Sequence, residues 1–130
     1  MGSQDLDLHE IANSKIFYVE GYMVTSDENY GCVLSVLEHL KSFPEVKVAL
    51  SLSDPGIVAG FKSKFEEIEA YGLDFIFGND DEFMTFVGAS DIDQAFNHLQ
   101  SKKYTSVVTM GEKGSAVINS RNVIKTPRVN

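Results

Sequence analysis

Short apolar runs rich in branched and aromatic residues alternate along this chain with stretches whose apolar residues recur at helical spacing. That alternation restricts the fold more than any other feature. Ile16-Phe17-Tyr18-Val19 reads as a strand, and behind it Tyr30, Val33, Leu34, Leu37 and Leu40 share one helical face. Thr25 and Glu28 have capping-box spacing at the start of that helix. Val46 to Leu52 is a second strand. Pro55 opens a second helix with Ile57, Phe61, Phe65 and Ile68 on one side. Asp74 to Phe77 is a third strand, bounded by Gly72 and Gly78. Two short helices follow, one carrying Phe83, Met84, Phe86 and Val87, the other Ile92, Ala95, Phe96 and Leu99 behind Ser90 as N-cap. Ser106 to Met110 is a fourth strand. Ser115 to Asn119 and Val123 to Thr126 form a hairpin across Ser120-Arg121-Asn122.

Strands alternating with amphipathic helices predict an α/β fold, a three-layer α/β/α sandwich with a mostly parallel sheet ending in an antiparallel β-hairpin. The 130 residues suit one domain. Residues 1–10 read as a tail and 11–130 as the domain, partial in extent.

Composition excludes several function classes. The net charge of −8 gives no electrostatic attraction to nucleic acid or to anionic lipid. Any phosphate must therefore be held by local geometry. The one cysteine, Cys32, permits neither an internal disulfide nor a zinc cluster, and its helical position reads as packing. His9, His39 and His98 are widely separated and read as surface residues. No apolar run is long enough for a membrane span, and the polar start is not a signal peptide. The expected location is the cytoplasm.

In open parallel sheets, ligands bind beyond the carboxyl ends of the strands. That rule selects Glu20-Gly21, Ser53-Asp54-Pro55, Gly78 to Glu82 and Met110 to Gly114, all on one rim. Each has a purely structural reading beside a functional one. Asn79-x-x-Glu82 has capping-box spacing, and the same carboxylates suit Mg²⁺ bound through water. Ser53-Asp54-Pro55 is a helix start or a polar ligand contact. Thr109 to Gly114 is a glycine turn, or a loop whose amides and Thr109 hydroxyl approach a phosphate. It is not a Walker A loop, and there is no GxGxxG fingerprint.

Taken in order, four segments resemble the middle of the PfkB (ribokinase-like) carbohydrate kinase family, most closely its adenosine-kinase-like branch. They are Tyr18-Val19-Glu20-Gly21-Tyr22, Leu50 to Pro55, Asp74 to Glu82 and Val107 to Ser115. The resemblance runs from about Ile11 onward. It implies a ribokinase-like fold and transfer of the ATP γ-phosphate to a hydroxyl of a sugar or nucleoside. It implies that Asn79 and Glu82 organise Mg²⁺ and phosphate, and that Thr109, Gly111 and Gly114 line the ATP site. Ser53 and Asp54 would lie near the nucleotide. Asp80 stands where the family commonly has Glu.

The resemblance also implies that this chain is a truncated, internal piece. The family's substrate loops, lid strands and paired-glycine motif are not found in it. Neither is the Gly-Ala-Gly-Asp signature that supplies the anion hole and the catalytic base, which would follow Asn130. The expectation is a chain inactive on its own, with exposed sheet edges that favour a homo-oligomer. The alternative is a non-catalytic nucleotide-binding or regulatory module of the same fold.

Overall fold

The structure, a computed structural model, describes residues 16–127. The expected tail over residues 1–10, with His9, lies outside the described residues. Six strands form one sheet in chain order: β1 (Ile16–Glu20), β2 (Lys47–Ser51), β3 (Phe75–Asn79), β4 (Thr105–Thr109), β5 (Ser115–Ile118) and β6 (Val123–Thr126). The β1–β2, β2–β3 and β3–β4 pairings are parallel, and β4–β5 and β5–β6 are antiparallel. This is the expected α/β fold, with a mostly parallel sheet that ends in a hairpin. Asn119 fixes the hairpin turn, its Oδ1 accepting from the Arg121 and Asn122 amides at 2.8 and 3.0 Å.

Five helices connect the parallel strands: α1 (Asp27–Leu40), α2 (Pro55–Gly60), α3 (Lys62–Ala70), α4 (Asp80–Val87) and α5 (Ile92–Gln100). Helix α2 packs on α4, and α4 on α5. The sheet residues Val19, Leu50, Ile76, Val108 and Ile118 are fully buried on one face, together with Phe65, Phe83 and Leu99 from the helices. Each such side chain contributes about 1.5–3 kcal/mol by leaving water. On the other face, large side chains stay accessible: Tyr18 is 47% and Phe77 37% exposed. The cause is topological. Right-handed crossovers between strands laid down in chain order carry every connecting helix to the same side. The described residues thus supply two of the three layers, the sheet and one helical layer.

Local details depart from the sequence reading in four places. Helix α1 is capped by Ser26, whose Oγ accepts from the Asn29 amide, and not by Thr25. Thr25 belongs to a 3₁₀ turn over Gly21–Thr25, where its hydroxyl donates to the Tyr22 carbonyl at 2.7 Å. The helix expected to run on from Pro55 breaks at Phe61, whose φ of −126° and ψ of 32° are not helical. Beyond the break, Phe65 and Ile68 are fully buried. Asp91 rather than Ser90 caps α5, accepting from the Gln94 amide at 2.8 Å. Cys32 is exposed, one position short of the buried Val33, so it is not core packing.

Candidate functional site

Four strand ends meet their connections along one rim of the sheet, and three of them border an open cavity of about 360 Å³. Its lining comprises Ser51 at the end of β2 and Ser53 just after it, Phe77, Gly78, Asn79 and Glu82 around the end of β3, and Val107 and Thr109 on β4. Parallel register sets Ser51 beside Phe77, Phe77 beside Val107, and Asn79 beside Thr109. Residues two apart on a strand share a face. Phe77 and Val107 therefore form an apolar floor on the helix-free face, and Ser53, Asn79 and Thr109 form the polar rim.

Strand β3 passes directly into α4, with no intervening loop. Asn79 is the last strand residue and the N-cap, and the capping box is complete. The Glu82 amide donates to Asn79 Oδ1 at 2.7 Å, and the Asn79 amide donates to Glu82 Oε1 at 2.8 Å. Glu82 is thereby folded back over the strand and is only 7% exposed. This burial of a carboxylate depends on Gly78. A Cβ there would lie 3.0 Å from Glu82 Oε1, 3.0 Å from Leu52 Cδ1 and 3.2 Å from Phe83 Cε2. Gly21 has a similar duty one strand away. Its Cβ would meet the Ser51 and Leu52 carbonyl oxygens at 2.6 and 2.7 Å, so only glycine lets the β1 exit lie against the β2 exit.

Of the residues singled out from sequence, Ser53, Asn79, Glu82 and Thr109 converge on this cavity. Asp54, Gly111 and Gly114 are not in its lining. Asp54 is the N-cap of α2, accepting from the Ile57 amide at 3.1 Å. Gly111 and Gly114 have φ of 58° and 89° and close the turn after β4. There the Met110 amide donates to the Gly114 carbonyl at 2.7 Å, and the Lys113 and Gly114 amides donate within the turn. Those two amides are already engaged and face no ligand. Phe77, Val107 and Ser51 escaped the sequence reading. Each lies two positions before a residue that did not, and strand period was the signal for them.

The donor set is hard oxygen: one buried carboxylate, one amide oxygen and several hydroxyls. Among the described residues no three His, Cys, Asp or Glu side chains cluster as a metal cage. The first turn of α4 carries Asp80, Asp81 and Glu82, which complement the positive helix end. An anion entering there meets negative charge unless a cation accompanies it. Among the described residues, no helix is long and apolar enough to cross a membrane.

The family described as pfkB family carbohydrate kinase matches residues 2–130. No curated protein matches the chain significantly. Among solved structures, adenosine kinase from Sinorhizobium meliloti superposes with a TM-score of 0.81 at 23% identity, covering 98% of this chain and 39% of that one. A probable sugar kinase from Rhizobium etli gives 0.81 at 20% identity, over 98% and 38% of the two chains. Aminoimidazole riboside kinase from Salmonella enterica, complexed with aminoimidazole riboside and an ATP analogue, gives 0.68 at 18% identity, over 98% and 44%. The chain thus spans about two fifths of the length of the structures it matches.

Proposed function

Because the chain belongs to the pfkB carbohydrate kinase family, we propose that it carries the nucleotide-and-metal part of a kinase that moves the ATP γ-phosphate to a hydroxyl of a sugar or nucleoside. The observation that supports this is the convergence of Ser53, Asn79, Glu82 and Thr109, from three separate strand ends, on one cavity. The acceptor class rests on the adenosine and sugar kinases that share the fold. Adenosine-like or ribose-like acceptors are the proposed substrates.

Magnesium fits the oxygen donors present, since it retains several waters and takes only one or two carboxylates beside substrate phosphates. Asn79 and Glu82 are the residues proposed to hold it. When bound, it would neutralise charge on the phosphate oxygens. The rest belongs to the chain. The Ser53 and Thr109 hydroxyls donate to phosphate oxygens. The Phe77 and Val107 floor gives those hydrogen bonds an apolar side on which no protein group competes for them. Gly78 keeps the Glu82 carboxylate at the cavity wall. Gly111, Gly114 and Asp54 act by shaping the loops on either side of the nucleotide.

Phosphoryl transfer also needs a residue that orients or deprotonates the nucleophile. Among the described residues, Glu82 is the one titratable side chain in the cavity lining, and it is held in the capping box. Asp54 is held in the α2 cap. The chain by itself is therefore proposed to transfer no phosphate. The same observation favours a second reading, a non-catalytic nucleotide-binding or regulatory module. Both readings place the protein in the cytoplasm, where its free, exposed Cys32 stays reduced. Calorimetric titration with Mg-ATP tests the shared claim. Saturable binding that weakens when EDTA removes the metal is expected; absence of binding at millimolar ligand sinks it. A phosphotransfer assay on adenosine and ribose is expected to read zero for this chain.

A further inference from the structure

The Lys64 ammonium of α3 is held between elements. The side chain is 25% exposed, and Nζ lies over the rings of Tyr30 and Phe61, 4.8 and 5.4 Å from their centres. From there it donates to the Val24 carbonyl at 3.1 Å and pairs with Asp27 at 3.2 Å. We propose that Lys64 is a positioning residue for the cavity. It fixes the 3₁₀ turn over Gly21–Thr25, and the turn fixes the β2 exit that carries Ser51 and Ser53. The proposal rests on the reading of the cavity as a nucleotide-and-metal site.

The two polar contacts of Lys64 are unequal. Asp27 is fully exposed, so water screens that ion pair and it holds little. Val24 is fully buried within the turn, and a charged donor to its carbonyl makes a strong hydrogen bond. The Thr25 hydroxyl and the Ser26 amide donate to the Tyr22 and Met23 carbonyls, which ties the turn only to itself. Lys64 ties it to a helix forty residues further along the chain. The turn begins at Gly21, whose backbone lies against the Ser51 and Leu52 carbonyls so closely that a Cβ would meet them at 2.6 and 2.7 Å. A shift of the turn therefore reaches the backbone of the β2 exit, and Ser51 and Ser53 on that exit line the cavity. The Tyr30 hydroxyl makes a useful contrast. It donates to the Glu67 carboxylate and so joins α1 to α3, but it does not touch the turn.

Four proteins decide the matter: the unaltered chain, K64M, K64R and Y30F, compared by urea denaturation, amide resonances and calorimetric titration with Mg-ATP. Methionine keeps the apolar stem over the two rings and removes the donor. K64M is expected to shift the Gly21, Ser51 and Leu52 amide resonances in the absence of nucleotide. It is expected to bind Mg-ATP about tenfold more weakly, as when one hydrogen bond to a charged group is misplaced. K64R, whose guanidinium also donates, is expected to restore both. Y30F keeps its ring and loses only the bond between helices, so its urea midpoint should fall while its affinity and those three resonances stay. Unchanged affinity in K64M, a loss that K64R does not restore, or an equal loss in Y30F would overturn the positioning role and leave the cavity reading standing. No binding by the unaltered chain would overturn both.

Discussion

Gly78 decides whether the Glu82 carboxylate sits over the end of β3 or outside it. In Gly78→Ala the new methyl meets Glu82, Leu52 and Phe83 at 3.0–3.2 Å. Overpacking of this kind costs about 1–3 kcal/mol, and urea denaturation is expected to show it. Glu82→Gln separates the cap from the charge. The glutamine amide oxygen can still accept from the Asn79 amide, so stability should change little. The magnesium dependence of ATP binding is expected to weaken by about ten- to a hundredfold, as when a carboxylate beside a bound metal is lost. Titrating Mg²⁺ at fixed ATP reads it. Ser106 behaves oppositely. It is fully buried on β4, and its hydroxyl has no hydrogen-bond partner among the described residues. A buried unsatisfied polar group costs about 1–3 kcal/mol. Ser106→Ala is therefore expected to raise the urea midpoint and leave ATP binding unchanged.

Among the elements, the link between α3 and the start of β4 has a pH signature. The Tyr104 hydroxyl donates to Glu69 of α3 at 2.8 Å, and Lys102 pairs with the same carboxylate at 3.3 Å. Burial, then the charge and hydrogen bond of Glu69, push the Tyr104 phenol well above its ordinary value. The folded state thus holds a proton that the unfolded chain releases near pH ~10. The stability this contributes is complete below that pH and is lost as pH rises above it. Urea midpoints measured from pH ~8 to ~11 should fall for the unaltered chain and fall less for Tyr104→Phe. The elements were largely legible in the sequence, because apolar spacing fixes which face of α1 or α4 is buried. Caps were less so. Thr25 and Ser26, or Ser90 and Asp91, are adjacent side chains that can each accept from a helix amide, and the choice depends on where the preceding turn ends. The break at Phe61 was invisible because Ile57, Phe61, Phe65 and Ile68 keep helical spacing across it. At the site, Asn79, Glu82, Thr109 and Ser53 stood out through their motifs. Phe77 and Val107 did not, since apolar strand residues look alike until register shows which ones face the cavity.

At the scale of the molecule, the helix-free face and the two edges dominate. Tyr18, Phe77 and Ile124 are exposed on that face, and Val107 and Val117 join Phe77 to Ile124 across the paired strands. Within the described residues β1 pairs only with β2, and β6 only with β5, so each leaves backbone groups unpaired along one side. Open edges and exposed apolar rows invite pairing with another chain. A homo-oligomer through these edges is expected, with a sedimentation-derived mass that rises with concentration; a monomer throughout the accessible range contradicts it. The central claim, that the strand-end cavity holds Mg-ATP, is tested most directly by amide chemical-shift mapping during titration with Mg-ATP. The largest perturbations are expected at Ser53, Asn79, Glu82 and Thr109. Perturbations centred instead on the charged groove between α3, α4 and α5, at Lys62, His98 and Lys102, would contradict it.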